Sequence, residues 1–187
     1  MSRCRGIGEG VDKMAVRKAK ITDLDDVVKI YGLIHSEEES GMVSIGWDRS
    51  VYPVRETAEE ALRREDLYVM EDDRVIVGSA IINQIQVPEY ALAAWDHKVD
   101  NAHVMVLHTL TVDPTKCQKG YGRAFVSYYE KYAADHGCPE LRLDTNEINT
   151  RARKMYQNLG YKEVGIVQCI FNGLPDVNLV CLEKYIK

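Results

Sequence analysis

Two glycines and two basic residues follow an apolar stretch of the chain, and together they could hold a phosphate group. Residues 104–112 are largely apolar and end at Asp113-Pro114, and the next turn reads Gln118-Lys119-Gly120-Tyr121-Gly122-Arg123. A helical pattern begins directly after this turn. Unpaired N–H groups and the helix dipole make a helix N-terminus favourable for an anion, and glycine lets the backbone approach that anion closely. The spacing therefore predicts a phosphate site at residues 118–123.

Two better known phosphate motifs do not occur in the sequence. A Walker A loop requires Gly-x-x-x-x-Gly-Lys-Ser/Thr, and no segment of the chain has that pattern. A dinucleotide fingerprint requires G-x-G-x-x-G after an early strand, but Phe125 stands where the third glycine would be. A G-x-G turn alone is equally consistent with an ordinary start of a helix, so further residues must support the phosphate interpretation.

His108 is the titratable side chain that the sequence places on the central predicted strand. Alternation along a strand puts it on one face with Val106, Leu110 and Val112. An imidazole, with a pKa near ~6.5, is well matched to removing a proton at neutral pH. The same position also suits a hydrogen-bonded histidine of the core, and the sequence leaves both interpretations open.

Hydrophobic periodicity predicts the elements that would position these residues. Helices are expected from Thr22 onward and at 57–65, 120–136 and 150–159, and the segments 40–54 and 86–101 read as irregular. Strands are expected at 14–19, 67–70, 75–85, 104–112, 141–145, 161–170 and 177–185. This order predicts a mixed sheet with helices on both faces.

Composition limits the class of protein. The chain has 187 residues and a net charge of -5, which fits one domain and offers no basic surface for nucleic acid. No apolar stretch approaches the ~20 residues that span a membrane. The five cysteines form no C-x-x-C pair, so neither a disulfide framework nor a metal site is predicted, and a reducing cytoplasm fits best. Residues 1–13 are expected to be a disordered leader or upstream sequence, ahead of a single domain at 14–187.

The element order and the residues from 107 to 161 resemble the GNAT superfamily of acyl-CoA-dependent N-acyltransferases. The resemblance implies an α/β fold with a mostly antiparallel sheet of about seven strands, and acetyl-CoA as cosubstrate without a metal. Gly160-Tyr161 matches the pair that closes a helix in that family. Cys117 departs from it, because the family usually has Gln or Arg at this position. The implied cofactor-binding residues are Leu110, Thr111 and Val112 on the strand, Gln118, Lys119, Gly120, Tyr121, Gly122 and Arg123 in the turn, and Asn149.

The resemblance also implies a role for Tyr156, which would lie near the thioester sulfur. A phenol with a pKa of about 10 can donate a proton to a departing thiolate of similar basicity. A tyrosine on the buried face of its helix is the alternative. The end of the first predicted helix, His35 with Glu37–Glu39, lies where this fold usually admits the acceptor, although a solvated acidic helix end explains it as well. Trp47, Tyr52 and Trp95 would line a pocket or cover the core.

The expected function is therefore transfer of an acetyl group from acetyl-CoA to a primary amine of a small molecule, peptide or protein. The amine would attack directly in a ternary complex, with His108 as base and Tyr156 as acid. A non-catalytic module that binds acyl-CoA is the alternative, and another nucleotide-phosphate binder is a third. The sequence leaves open whether the protein forms a homodimer. It does not identify the acceptor amine, because the fold does not determine the acceptor.

Overall fold

A seven-stranded mixed sheet is the framework of this protein. The computed structural model describes residues 14–116 and 120–187, so the expected leader 1–13 and the turn residues Cys117, Gln118 and Lys119 lie outside the described part. The strand order is β1-β2-β3-β4-β5-β7-β6, and of these neighbours β4 and β5 run parallel while the others are antiparallel. The strands are β1 Met14–Lys18, β2 Leu67–Asp72, β3 Val75–Asn83, β4 Val104–Val112, β5 Glu140–Asn146, β6 Lys162–Phe171 and β7 Leu174–Tyr185.

Helices cover both faces of the sheet, which confirms the fold class expected from the sequence. On one face α3 and α4 pack on a core that includes Met105, Leu107 and Leu143. On the other face α1 and α2 pack on a second core that includes Val69 and Ile81. In the described part of the chain, no helix has both the length and the apolar character needed to cross a membrane. The helices are α1 Leu24–Glu39, α2 Arg55–Arg63, α3 Tyr121–Asp135 and α4 Thr150–Asn158.

The starts of the first two helices differ from the sequence prediction. A short 3-10 turn at Ile21–Asp23 precedes α1, and the carboxylate of Asp23, not the hydroxyl of Thr22, accepts the N–H of Lys20 at 2.7 Å. Helix α2 begins at Arg55, two residues before Thr57. The Thr57 hydroxyl instead accepts the N–H of Val54 from within the first turn. Polar side chains thus stabilise both starts, but from inside the turn and not ahead of it.

A β-bulge in β4 corrects one prediction about His108. His108 lies opposite Ile81 and Thr111 lies opposite Ser79, so two residues of β4 face a single residue of β3. Thr109 takes up the extra length with φ 49. The alternation of side chains reverses there, so Leu110 and Val112 pack with the α3 core while Val106 packs in a third core on the opposite face of the sheet. His108 therefore shares a face with Val106, and the prediction that it shares one with Leu110 and Val112 is wrong.

The sheet divides where β4 and β5 separate. Their pairing runs from Val104↔Glu140 to Leu107↔Leu143, the last pair among the described residues. Both strands continue beyond it, β4 to Val112 and β5 to Asn146. Hence, within 14–116 and 120–187, the side of β4 that faces β5 has no neighbouring strand over residues 108–112. We call this separation the fork, and along it the backbone of β4 is not paired with β5.

Candidate active site

A cleft of about 1280 Å³ occupies the fork and connects the two faces of the sheet. Its walls come from the end of β4, the first turn of α3, α4, the end of β5 and the loop 40–54. Residues from both the predicted phosphate turn and the expected acceptor region line it. The fold therefore brings into one cavity segments that are more than a hundred residues apart in the sequence.

His108 and Asp144 are the first residues beyond the last β4–β5 pair. Leu107 and Leu143 point into the α3 core, so the side chains of His108 and Asp144 both emerge on the opposite face. Both residues line the cleft. The sequence analysis named His108 but not Asp144. A carboxylate after the apolar residues of a short strand was the signal that could have drawn attention to it.

The imidazole of His108 is held in one orientation by two oxygen acceptors. Its Nε2 lies 3.1 Å from Oδ1 of Asn83 and 3.0 Å from the carbonyl oxygen of Ile85. Because both partners accept, Nε2 carries the proton and Nδ1 keeps its lone pair. Burial lowers the pKa of His108 to about 4, so the ring is neutral at neutral pH. The ring can accept a hydrogen bond at Nδ1, although it is a weaker base than an unperturbed histidine.

Asp144 is a carboxylate in a poorly hydrated place. The hydroxyl of Tyr90 donates to its Oδ2 at 2.7 Å, and Tyr90 itself is buried in the core between the sheet and the segment 86–101. Desolvation raises the pKa of Asp144 to about 6, although the Tyr90 hydrogen bond opposes the shift. A carboxylate with this pKa is ionised at neutral pH and can still accept a proton.

Tyr156 lies on α4 and is only 6% exposed. Its ring meets that of Tyr161 edge-on, with 5.8 Å between centroids, and it also lines the cleft. Its hydroxyl makes no hydrogen bond with any residue in the described ranges. Burial, and secondarily the charge of Asp144, raises the pKa of Tyr156. The phenol is therefore protonated at neutral pH and its O–H is available to a ligand.

The predicted phosphate turn is partly described. Gly120 is the N-cap of α3 with φ 75, and a Cβ built there would meet no atom of the described residues within 4 Å. Gly122 has a different role, because a Cβ there would lie 3.2 Å from Sδ of Met155. Gly120 thus leaves open space above the helix N-terminus, whereas Gly122 allows α3 to pack against α4. Gln118 and Lys119 lie outside the described residues.

Two of the expected cofactor residues use their side chains for the fold. The hydroxyl of Thr111 lies 2.7 Å from the hydroxyl of Ser79 and donates to its carbonyl oxygen. The hydroxyl of Tyr121 donates to Asp72. Only the backbone of these two residues can serve a ligand in the cleft. Arg123, in contrast, is exposed in the first turn of α3 and lines the cleft with Leu110 and Val112.

Asn149 is the N-cap of α4, directly ahead of the helix expected at 150–159. Its Oδ1 accepts the N–H of Ala152 at 3.2 Å, and the residue also lines the cleft. Capping occupies the side-chain oxygen and leaves the amide nitrogen to face a ligand. A contact between Asn149 and the cofactor remains a prediction.

The expected acceptor residues separate into structural and cleft-lining groups. His35 is buried and bonds the carbonyl oxygen of Pro53 through Nε2 at 2.9 Å. Glu38 accepts the N–H groups of Ile45 and Gly46 and so holds the loop 40–54. Glu39 binds Arg49 on the surface. Of the residues predicted near the acceptor, Glu37, Trp47 and Tyr52 line the cleft, whereas Trp95 stacks on Arg142, 4.1 Å from its guanidinium.

Comparisons with known proteins identify the family of this chain. Residues 29–161 match the Acetyltransferase (GNAT) family. Aminoglycoside N(6')-acetyltransferase type 1 of Salmonella typhimurium is 30% identical over 64 residues, which are 34% of this chain and 44% of that protein. The chain therefore spans less than half the length of that relative.

Two solved structures share the fold over nearly the whole chain. A GNAT family acetyltransferase from Streptococcus agalactiae has a TM-score of 0.78 at 19% identity, over 94% of this chain and 97% of that one. The protein yncA of Salmonella typhimurium, solved with its cofactor acetyl-CoA, has a TM-score of 0.67 at 14% identity, over 94% and 95% of the two chains. Because the family match covers most of the chain, including the fork and the helix N-terminus beside it, the protein belongs to the GNAT family of acetyltransferases.

Proposed function

We propose that this protein transfers the acetyl group of acetyl-CoA to a primary amine, by direct attack of the amine in a ternary complex. The observation that carries the proposal is the fork, which joins the open edge of β4, the N-terminus of α3 and the pair His108 and Asp144 in one cleft. An extended ligand and an amine could enter this cleft from opposite faces of the sheet and meet at its apex.

The cofactor would lie along the unpaired edge of β4. The backbone of Leu110 to Val112 offers hydrogen-bonding groups to the amides of a pantetheine arm, as a strand would. The pyrophosphate would lie at residues 118–123, where the first N–H groups of α3 point outward. The space above Gly120 admits the phosphates, and Arg123 adds a positive charge. Asn149 would contact the cofactor from α4.

Tyr156 would protonate the thiolate of the departing CoA. Burial raises its pKa, so the phenol keeps its proton at neutral pH but is a weaker acid than an unperturbed tyrosine. It would therefore act by donating a hydrogen bond to the thiolate as negative charge develops, with the proton following. Because the hydroxyl has no partner among the described residues, no protein hydrogen bond must break before the transfer.

The acceptor amine must lose a proton, and two groups at the fork can assist. His108 can accept an N–H hydrogen bond at Nδ1 and orient the amine, or take the proton directly or through one water. Asp144 has the higher pKa of the two, so it takes the proton more readily, and its charge attracts an ammonium ion into the cleft. The two roles are distinguishable by their pH dependence.

The test is turnover against a panel of amines, with release of the CoA thiol as the readout. The panel contains aminoglycosides, because of the relative described above, together with polyamines and peptides that have a free N-terminus. Thiol release that requires both acetyl-CoA and an amine, and an acetylated amine found by mass spectrometry, would support the proposal. CoA binding with no turnover on any class would favour the non-catalytic alternative, and a thermal shift with ATP or NAD but not with CoA would favour the third interpretation. The homodimer and the cytoplasmic location remain predictions from the sequence.

A further inference from the structure

Three potential metal ligands meet at the end of the sheet opposite the cleft. They are His97 in the segment 86–101, Glu140 at the start of β5 and Glu183 near the end of β7. Nδ1 of His97 lies 3.6 Å from Oε2 of Glu140 and 3.7 Å from Oε1 of Glu183. One ligand atom from each of the three residues lies within 4.8 Å of the others. No two of them are close in the sequence, so the sequence contains no spacing pattern that would predict the cluster.

Both carboxylates are fully buried and only partly satisfied. Glu140 is 0% and Glu183 2% exposed. Each has one oxygen, Oε2, that is buried without a hydrogen-bond partner among the described residues. An unpaired buried carboxylate oxygen is costly. Some species must compensate these two oxygens in the folded protein.

Surrounding groups hold the three ligands in place. Arg142 donates from Nε to Oε1 of Glu140 at 3.1 Å and from a terminal nitrogen to the carbonyl oxygen of His97 at 3.2 Å. The N–H of Asp96 donates to Oε1 of Glu183 at 3.0 Å. The ring of His97 stacks on Tyr185 with 4.7 Å between centroids. Partners of this kind orient the ligands in known metal sites, and here they occupy one oxygen of each carboxylate and leave the other uncommitted.

We propose that His97, Glu140 and Glu183 form a binding site for one divalent transition-metal ion, with Zn²⁺ the best match. Zinc accepts imidazole nitrogen and carboxylate oxygen at about 2.0–2.2 Å in tetrahedral geometry, so its ligand atoms lie roughly 3.3–3.6 Å apart. His97 Nδ1 lies 3.6 Å from the uncommitted Oε2 of Glu140, close to this range. It lies 3.7 Å from Oε1 of Glu183, which also accepts the N–H of Asp96 and has a second lone pair for an ion. Three protein ligands leave a fourth position for water.

The site would attach the segment 86–101 to the sheet. This segment contributes Tyr90, whose hydroxyl binds Asp144, and Ile85, whose carbonyl oxygen fixes His108, directly precedes it. A bound ion would therefore stabilise the wall that supports both groups at the fork. The alternative compensation is a proton shared between Glu140 and Glu183, which would need no metal and no His97.

Metal binding to the full chain tests the proposal without reference to activity. The protein is stripped with a chelator, and one metal-free sample is titrated with Zn²⁺ by calorimetry. A second metal-free sample is titrated with Co²⁺ to record the visible absorption of a four-coordinate site. We expect one equivalent to bind to this site and the melting temperature to rise. His97→Ala should weaken that binding by more than about 100-fold, since even the loss of an outer-shell partner costs roughly 10–100-fold.

His103→Ala is the matched control, because His103 is an exposed histidine of the same region and is not one of the three proposed ligands. It should leave the affinity and the Co²⁺ spectrum unchanged. His97→Ala removes a half-exposed side chain and should stay folded, and Glu183→Gln provides a second variant from a different strand. Failure of Zn²⁺ and Co²⁺ to bind, or equal affinity in the wild type and His97→Ala, would overturn the proposal and leave the shared proton as the explanation.

Discussion

His108 and Asp144 stand on either side of the point where β4 and β5 separate, and both side chains emerge on the same face of the sheet. Their environments shift their pKa values in opposite directions, because desolvation disfavours the charged form of each. Burial lowers that of His108 to about 4 and raises that of Asp144 to about 6. The usual order, in which histidine has the higher pKa, is thus reversed in this cavity, and the pH dependence of activity distinguishes the roles of the two groups.

The pH dependence of kcat/KM should identify the base. If Asp144 takes the proton, activity rises through its pKa near 6, because only the ionised carboxylate can accept. Asp144→Asn should abolish this rise, the ascending limb of the pH profile, and reduce kcat/KM by roughly 10²–10⁴ at neutral pH. His108→Gln should keep the limb near pH 6 and lower the rate through poorer orientation of the amine. A limb near pH 6 that survives in Asp144→Asn would exclude Asp144. A limb near pH 4 that disappears only in His108→Gln would identify the imidazole as the base.

Asp144 should also make the stability of the protein depend on pH. Its folded pKa of about 6 lies above the ordinary value of 3.8, so the folded state binds the proton more tightly than the unfolded state. The free energy of unfolding therefore falls as pH rises from about 4 through 6. Asp144→Asn should raise it at pH 8 by about 1–3 kcal/mol, since one pKa unit corresponds to about 1.4 kcal/mol, and should change it little at pH 4. Denaturant titrations at the two pH values measure this difference. Asp176→Asn, at an exposed position, should show no such contrast, and equal effects at both pH values would contradict the assignment.

Tyr156→Phe tests the proposed acid. The substitution keeps the ring and its contact with Tyr161 and removes a hydroxyl that has no hydrogen-bond partner among the described residues. Stability and CoA affinity should therefore change little, while kcat falls by roughly 10²–10⁴. Tyr161→Phe is the matched control in the core beneath it and should keep kcat near the wild-type value. A Tyr156→Phe enzyme with wild-type kcat would mean that water protonates the thiolate.

Gly120→Val tests the position of the pyrophosphate. A β-branched residue at φ 75 is strained whatever ligand is bound, so loss of binding alone would be ambiguous. Gly137 lies at the other end of the same helix with φ 69, and a Cβ at either glycine would meet no described atom within 4 Å. Gly137→Val therefore reproduces the strain without approaching the cleft. We expect Gly120→Val to lose at least about tenfold in CoA affinity and Gly137→Val to keep it, measured by calorimetry on folded proteins. Equal CoA affinities in the two variants would show that the phosphates do not bind at this turn.

Local features were predictable from the sequence because they depend on neighbouring residues. The periods of apolar residues give nearly all the strands and helices of the fold, with ends displaced by a few residues where a side chain acts from within a turn, as Asp23 and Thr57 do. The start of α3 at Gly120 and the cap of α4 by Asn149 follow from residue types that suit those backbone positions. The family resemblance rested on these local features in their order along the chain.

Only the tertiary structure decided which residues meet. The bulge at Thr109 reverses the side-chain alternation of β4, and its existence depends on the register with β3 some thirty residues earlier. The proximity of Asp144 to the site depends on where β4 and β5 stop pairing, and the cluster of His97, Glu140 and Glu183 joins a loop to two strands. Strand register and strand separation are set by packing between distant segments, whereas helix periodicity and capping are set within a few residues. For this reason the elements and the glycine at the start of α3 were determined by the sequence itself, and the partners of His108 were determined by the fold.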